Sequence, residues 1–282
     1  MKLLRYGEVG LEQPGILDSS NRIRDLSSII PDLNGAALSD SSLERLRNID
    51  LETLPVVTGH PRVGACAAGV GKFICIGLNY RQHALETGAA IPTEPILFLK
   101  ATSSIGGAND DIIIPRGSTK TDWEVELGVV IGKAAKYVSK EQALEYVAGY
   151  CVINDLSERE YQLERGGQWD KGKGCDTFGP IGPFLVTKDE ISDPQNLKLW
   201  LEVDGHRYQD SSTADMIFGV AELVAYLSNF FTLHPGDVIS TGTPQGVGLG
   251  MKPPKYLGAG QVMKLGIDGL GEQVQRVVSE GR

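Results

Sequence analysis

The chain has 282 residues, a formal net charge of −9 and a pI near 5.0, and no Lys/Arg-rich block offsets that acidity, which argues against a nucleic-acid or anionic-membrane partner. Neither a run of 18 apolar residues nor an apolar leader after Met1 is present, so a soluble, cytoplasmic protein is expected. Cys66, Cys75, Cys151 and Cys175 form no CxxC pair and are expected as free thiols, and the length suits one large domain or a small one attached to a larger one.

Residues 1–65 differ in pattern from the rest and are read as a small N-terminal domain or arm ahead of a catalytic domain over 66–282. Asp18-Ser19-Ser20-Asn21 punctuates a hairpin, and Ser39 to Leu46 has the form of a capped short helix. Beyond Lys72 strand signals crowd together at 73–77, 96–99, 111–115 and 122–132. Ser139-Lys140-Glu141-Gln142 resembles a capping box opening a helix to about Val147. A strand over 149–154 then leads through a polar turn into a helix at 157–163. Leu197 to Val203 alternates and meets Asp204-Gly205, a hairpin signal, while 219–231 has the spacing of an amphipathic helix. Pro235-Gly236-Asp237 turns into a strand ending at Thr241-Gly242-Thr243-Pro244. The sum is an α+β fold dominated by strands, and the irregular order of strands and helices speaks against a Rossmann or TIM arrangement.

Glu124 and Glu126 stand two apart in an apolar, β-branched run, so strand alternation sends both carboxylates to one side. Beside a core such a pair requires that one be protonated, that an Arg or Lys intervene, or that a metal ion bind; an edge strand with a wet polar face is the plainer reading. Asp155 at the end of the next strand is placed to join them around a hard divalent ion, Mg²⁺ or Mn²⁺, or else to cap the following helix. His83 and Glu86, i and i+3 on a helix, form either a water-activating dyad or a surface histidine with an incidental neighbour. Gly88-Ala89-Ala90 and Pro92 follow, a stretch suited to closing over a ligand. Lys173 between glycines can approach a ligand closely or lie in an exposed loop, and Gly246-Val247-Gly248-Leu249-Gly250 lacks the strand and helix that a dinucleotide fingerprint needs.

In order and wording these pieces resemble the fumarylacetoacetate hydrolase family: Gly77-Leu78-Asn79-Tyr80 with His83 and Glu86, Glu94 to Lys100, the Glu124/Glu126 strand, Asn154-Asp155 with Ser157 and Arg159, Lys173 with Asp176, Thr177 and Phe178, and Thr241 to Gly248. The resemblance runs from about Phe73 to the C-terminus. It implies a mixed β-roll or β-sandwich catalytic fold, a homodimer, and Mg²⁺ or Mn²⁺ on Glu124, Glu126 and Asp155. His83 and Glu86 match the family's water-activating dyad, Lys173 its active-site lysine, and Gln162 and Thr243 positions that contact substrate or catalytic water. Within the family the chain looks closest to bacterial members that split 2,4-dioxo-3-deoxy sugar acids, a subgroup often labelled ureidoglycolate lyase. The implied activity is hydrolysis of the C3–C4 bond of a 2,4-dioxo acid, with Tyr80, Arg81, Arg159 and Trp169 as candidates to contact substrate hydroxyls. Decarboxylation of oxaloacetate or a related β-oxo acid on the same metal site is the alternative, and a non-catalytic binding protein on the same scaffold is a third reading.

Overall fold

Period-2 alternation in the apolar runs builds two cores on the two faces of one sheet. A computed structural model of the chain describes residues 1–280. Its ten-stranded mixed sheet runs, in spatial order, Ile23–Asp25, Gln13–Leu17, Lys2–Tyr6, Gly179–Thr187, Val147–Asn154, Val125–Ile131, Val238–Ser240, Phe73–Gly77 and Ile96–Lys100, with Ile105–Gly106 pairing alongside Gly179–Thr187. Ile74, Ile76, Val125, Leu127, Val129, Tyr150 and Val152 face one core; their neighbours Phe73, Cys75, Val130, Cys151 and Ile153 face the other. A sheet covered on both sides needs strands that are apolar throughout, as these are.

The first core is closed by a five-stranded sheet, ordered His206–Ser212, Lys198–Val203, Val262–Ile267, Gly271–Ser279 and Ile112–Ile114, and by the helix Val220–Leu227. The second is closed by the N-terminal segment, whose Leu3, Ile16, Leu26, Leu33, Leu38, Leu43 and Leu46 are all buried. Residues 1–65, read from sequence as a small domain or arm, thus add three strands to the main sheet, Leu3 pairing with Leu185, and share a core with it. The structure is strand-dominated α+β, as expected.

Several local expectations hold. Asp18 accepts backbone N–H bonds from Ser20 and Arg22 in the turn between its two strands. Ser39 accepts from the Ser42 N–H and caps the helix Asp40–Arg47. Asp204 and Gly205 take φ of 51° and 77°, the left-handed pair of a two-residue hairpin. Three expected helices come out shorter or are replaced, the one over 219–231 spanning only Val220–Leu227. The Ser139 box opens only a 3₁₀ turn at Ala143–Tyr146, because Val147 is drawn into pairing with Ile131. In place of a helix over 157–163, Ser157–Glu158 pairs with Thr121–Asp122 and a π-helical turn follows at Glu160–Glu164. Among the described residues no helix is long and apolar enough to cross a membrane.

Candidate active site

Antiparallel pairing brings the acids together. Val125–Ile131 begins where Val147–Asn154 ends, with Ile153 opposite Glu126 and Asn154 opposite Val125, so Glu124 and Asp155 flank the pair and the Asp155 N–H bonds the Glu124 carbonyl at 2.9 Å. Carboxylate oxygens of Glu124, Glu126 and Asp155 lie within 4.8 Å of one another, and all three residues are buried. Asp155 caps no helix; its two oxygens accept instead from Lys100 Nζ at 2.6 Å and Lys173 Nζ at 2.9 Å.

Cations do intervene, one of the alternatives the spacing left open. Glu124 accepts from Lys173 Nζ at 2.6 Å and from Arg159 at 2.7 Å, and Arg159 also reaches Asp122 at 2.8 Å. Burial pushes the Glu124 carboxyl up, but Lys173 and Arg159 outweigh it and hold the group below its ordinary range. Burial likewise works against the Lys173 ammonium, yet Asp155 and Glu124 leave it raised. Glu126 differs: its contacts are neutral donors, the Ser240 hydroxyl at 2.6 Å and the Gly242 N–H at 2.8 Å. Burial first, then the charges of Asp155 and Glu124, push it well above the usual carboxylate value. A buried carboxylate facing only neutral donors, two more within reach and no nitrogen or sulfur ligand among them is a donor set that fits a hard divalent cation.

On the facing wall, the helix Arg81–Thr87 carries His83 and Glu86, with His83 Nδ1 3.3 Å from Glu86 Oε2. A proton on Nδ1 donated to that carboxylate leaves Nε2 as the basic nitrogen. Glu86 is itself held by the Gly246 N–H at 3.1 and 3.2 Å from its two oxygens. Gly250 gives it room, since a Cβ there would lie 2.5 Å from the Glu86 carboxyl carbon. The glycine-rich stretch 246–250 is therefore a cradle for Glu86, and Asp122 ties it down by accepting from the Gly248 and Leu249 N–H groups at 2.7 and 2.9 Å.

Both walls border one cavity of about 210 Å³, lined by His83, Glu124, Glu126, Asp155, Arg159, Gln162, Trp169, Lys173 and Thr243 together with several apolar side chains. Lys173 is not in an exposed loop: it ends the short helix Asp170–Lys173 and is 2 % exposed, and Gly172 before it packs so tightly that a Cβ would meet the Glu158 carbonyl oxygen at 2.3 Å. Glu86 stands behind His83 rather than in the lining. Two expected contact residues are turned away: Tyr80 is fully buried outside the cavity wall, and Arg81 gives its guanidinium to the Asp215 and Met216 carbonyls. Lys100 and Asp122 were not anticipated, although Asp122 shares the period-2 face of Glu124 and Glu126 and Lys100 the inward face of Phe98. Leu78, on the wall, has φ 50°, and the Asn79 side chain beside it is fixed by the Phe218 and Thr241 backbone.

Comparison with known proteins agrees with this geometry. The family model described as fumarylacetoacetate (FAA) hydrolase C-terminal matches residues 72–278. A Burkholderia ambifaria protein named only "Putative hydrolase" is 68% identical over 276 residues, 98% of each chain. The solved structure of a fumarylacetoacetate hydrolase from psychrophilic Exiguobacterium antarcticum superposes with a TM-score of 0.87 at 34% identity, covering 99% of this chain and 100% of that one. A maleylpyruvate hydrolase from Sphingobium sp. SYK-6, determined in complex with manganese(II) and pyruvate, superposes at 0.83 with 26% identity and full coverage of both chains.

Proposed function

The chain belongs to the fumarylacetoacetate hydrolase family, and from that premise we propose that it hydrolyses the C3–C4 bond of a 2,4-dioxo acid of the acylpyruvate type to pyruvate and a second acid, with Mg²⁺ or Mn²⁺ held by Glu124, Glu126 and Asp155. The observation that carries the reading is the His83–Glu86 dyad facing the carboxylate trio across a single cavity.

A divalent ion on those carboxylates supplies Lewis acidity toward the oxygen-rich head of such a substrate. The chain's own groups do the rest. His83 Nε2 takes a proton from water as the water oxygen bonds to C4, and Glu86, fixed by the Gly246 N–H, balances the imidazolium that forms. The C3–C4 bond then breaks with its electron pair passing to the pyruvate half as an enolate, and the second acid leaves from C4. A proton returned to C3 completes pyruvate. Lys173 places its positive charge where the enolate's negative charge develops, and the Gln162 amide, its oxygen already accepting from Arg159, keeps its N–H₂ for substrate or water.

Decarboxylation of a β-oxo acid needs no attacking water, so it would leave the dyad without a task. Incubating the protein with acetylpyruvate and with oxaloacetate, with and without EDTA, separates the two activities by pyruvate release. Chelator-sensitive cleavage of acetylpyruvate, faster than any loss of CO₂ from oxaloacetate, is expected; the opposite order would reverse the assignment.

A further inference from the structure

We infer that the group the substrate carries beyond C4 is apolar, a short alkanoyl or aryl group, in place of the hydroxylated chain or second carboxylate that such acids also bear. This rests on the acylpyruvate reading and extends it to the other half of the molecule.

The cavity changes chemistry along its length. At its floor Glu124, Glu126, Asp155 and Lys173 are each 5 % exposed or less. Leu163, 44 % exposed, and Trp169 stand toward the mouth, Leu78 and Leu249 add to the apolar lining, and Phe98 lies deeper, 8 % exposed with Lys173 Nζ 5.2 Å from its ring centre. Trp169 is fixed as a wall: its ring lies edge-on to Phe98 at 5.5 Å and over Gly77, where a Cβ would meet it at 2.4 Å.

Among the described residues lining the cavity the basic side chains besides His83 are Arg159 and Lys173, and neither is free to pair with a second carboxylate. Arg159 is shared among Asp122, Glu124 and Gln162, and Lys173 between Glu124 and Asp155. Arg81, on the helix that carries His83, donates to the Asp215 and Met216 carbonyls, Lys171 to the Arg165 carbonyl, and Arg165 to Glu160. A polyhydroxylated chain fares little better. The Thr87 and Thr243 hydroxyls spend their protons on the His83 and Val125 carbonyls, each at 3.0 Å, so that neutral donors for several hydroxyls are mainly the Gln162 amide and the Trp169 indole. Hydroxyls desolvated against leucine and phenylalanine without partners weaken binding, whereas methylenes there strengthen it. A cavity of roughly 150 Å³ lined by such residues takes a benzene ring. The space here suits a dioxo acid head with a tail of about four to six carbons, whose far end passes Leu163.

The test is kcat/KM over acetyl-, butanoyl-, hexanoyl- and benzoylpyruvate, set against maleylpyruvate and a 3-deoxy-2,4-dioxo sugar acid, with Mn²⁺ present. The expected result is a rise of about fourfold per methylene up to hexanoyl, with the dicarboxylate and the sugar acid at least about tenfold below hexanoyl. Leu163→Arg, a change at an exposed rim position, is expected to favour maleylpyruvate over hexanoylpyruvate relative to the unchanged protein. Faster turnover of maleylpyruvate or of the sugar acid than of hexanoylpyruvate, or an unaltered ratio in L163R, overturns the inference. If no member of the series releases pyruvate, the hydrolase reading fails, and the apolar wall is tested by binding. Quenching of the Trp169 fluorescence, with W169F as the blank, should show 2-oxohexanoate bound more tightly than 2-oxoglutarate; the reverse order overturns the inference on that ground too.

Discussion

His83 owes its orientation to Glu86 on its own helix and, through Glu86, to residues distant in the chain: Gly246 holds Glu86 and Gly250 leaves the space. His83→Ala is expected to lower kcat by about 10²- to 10⁴-fold with little change in KM, because the lost proton transfer belongs to the transition state. Steady-state kinetics on acetylpyruvate check this, and an equal loss in both parameters would mean that the ring mainly binds substrate. Gly250→Ala probes the same dyad from behind. The added methyl would press on the Glu86 carboxyl and displace it, so kcat should fall by about ten- to a hundredfold while circular dichroism stays native. The residues legible in the sequence were those whose placement follows from spacing. Two glutamates on one face of a strand, and a histidine and a glutamate one helical turn apart, are periodic facts. Tyr80 and Arg81 failed for a reason of the same kind. Tyr80 is the extended N-cap, at φ −122°, so its side chain leaves the helical face of His83, and Arg81, two residues from His83, points to the opposite side of the helix.

At the scale of elements, the first hairpins show how polar side chains can fix strand ends. Asp18 is buried and accepts from the Arg22 and Ser20 N–H groups and from the side chains of Arg24 and Arg22, with Arg24 continuing to Glu52 at 2.6 Å and to the Leu54 carbonyl at 3.0 Å. Burial pushes the carboxyl up, but these donors outweigh it and lower it well below the ordinary value. The folded state therefore binds the proton less readily than the unfolded chain. The stability Asp18 contributes is fully present above the unfolded carboxylate range and drains away as pH falls through that range toward the folded value. Asp18→Asn should accordingly melt lower than the unchanged protein at pH 7, with the gap between the two melting curves closing as the pH is taken toward 3; a gap constant across that range would show that shape rather than charge is what matters. The Asp18 turn and the Asp204-Gly205 hairpin could be read from sequence because turn chemistry is local. The Ser139 box could not, because the local preference for helix lost to the pairing of Val147 with Ile131, a tertiary contact that the capping pattern does not encode.

At the scale of the whole molecule, the main sheet is buried on both faces, with the candidate cavity where two of its central strands meet end to start. That arrangement explains why the acids tolerate burial. Glu124, Asp155 and Asp122 are compensated by Lys173, Lys100 and Arg159, brought from separate strands and turns, while Glu126 has only neutral donors. Lys100 illustrates the limit of sequence reasoning at this scale. Its partner, Asp155, is 55 residues away and is set by topology, so nothing local to the strand marks the pair. A cation entering the trio relieves the repulsion at Glu126 and binds the folded state alone, so it stabilises by mass action, about 2.7 kcal/mol at a hundredfold excess over its dissociation constant. For a chain of this size that corresponds to a melting temperature higher by about 4–5 °C. Mn²⁺ and Mg²⁺ should each produce such a shift, EDTA should reverse it, and Glu126→Gln should abolish it, all read by differential scanning fluorimetry without reference to activity. Lys173→Met sharpens the test. Removing the ammonium leaves Glu124 and Asp155 partly unpaired, which should cost about 3–5 kcal/mol without metal. The added ion then has more repulsion to relieve, so the Mn²⁺-induced shift should exceed that of the unchanged protein. A shift equal in K173M and in E126Q would place the ion somewhere other than among these three carboxylates.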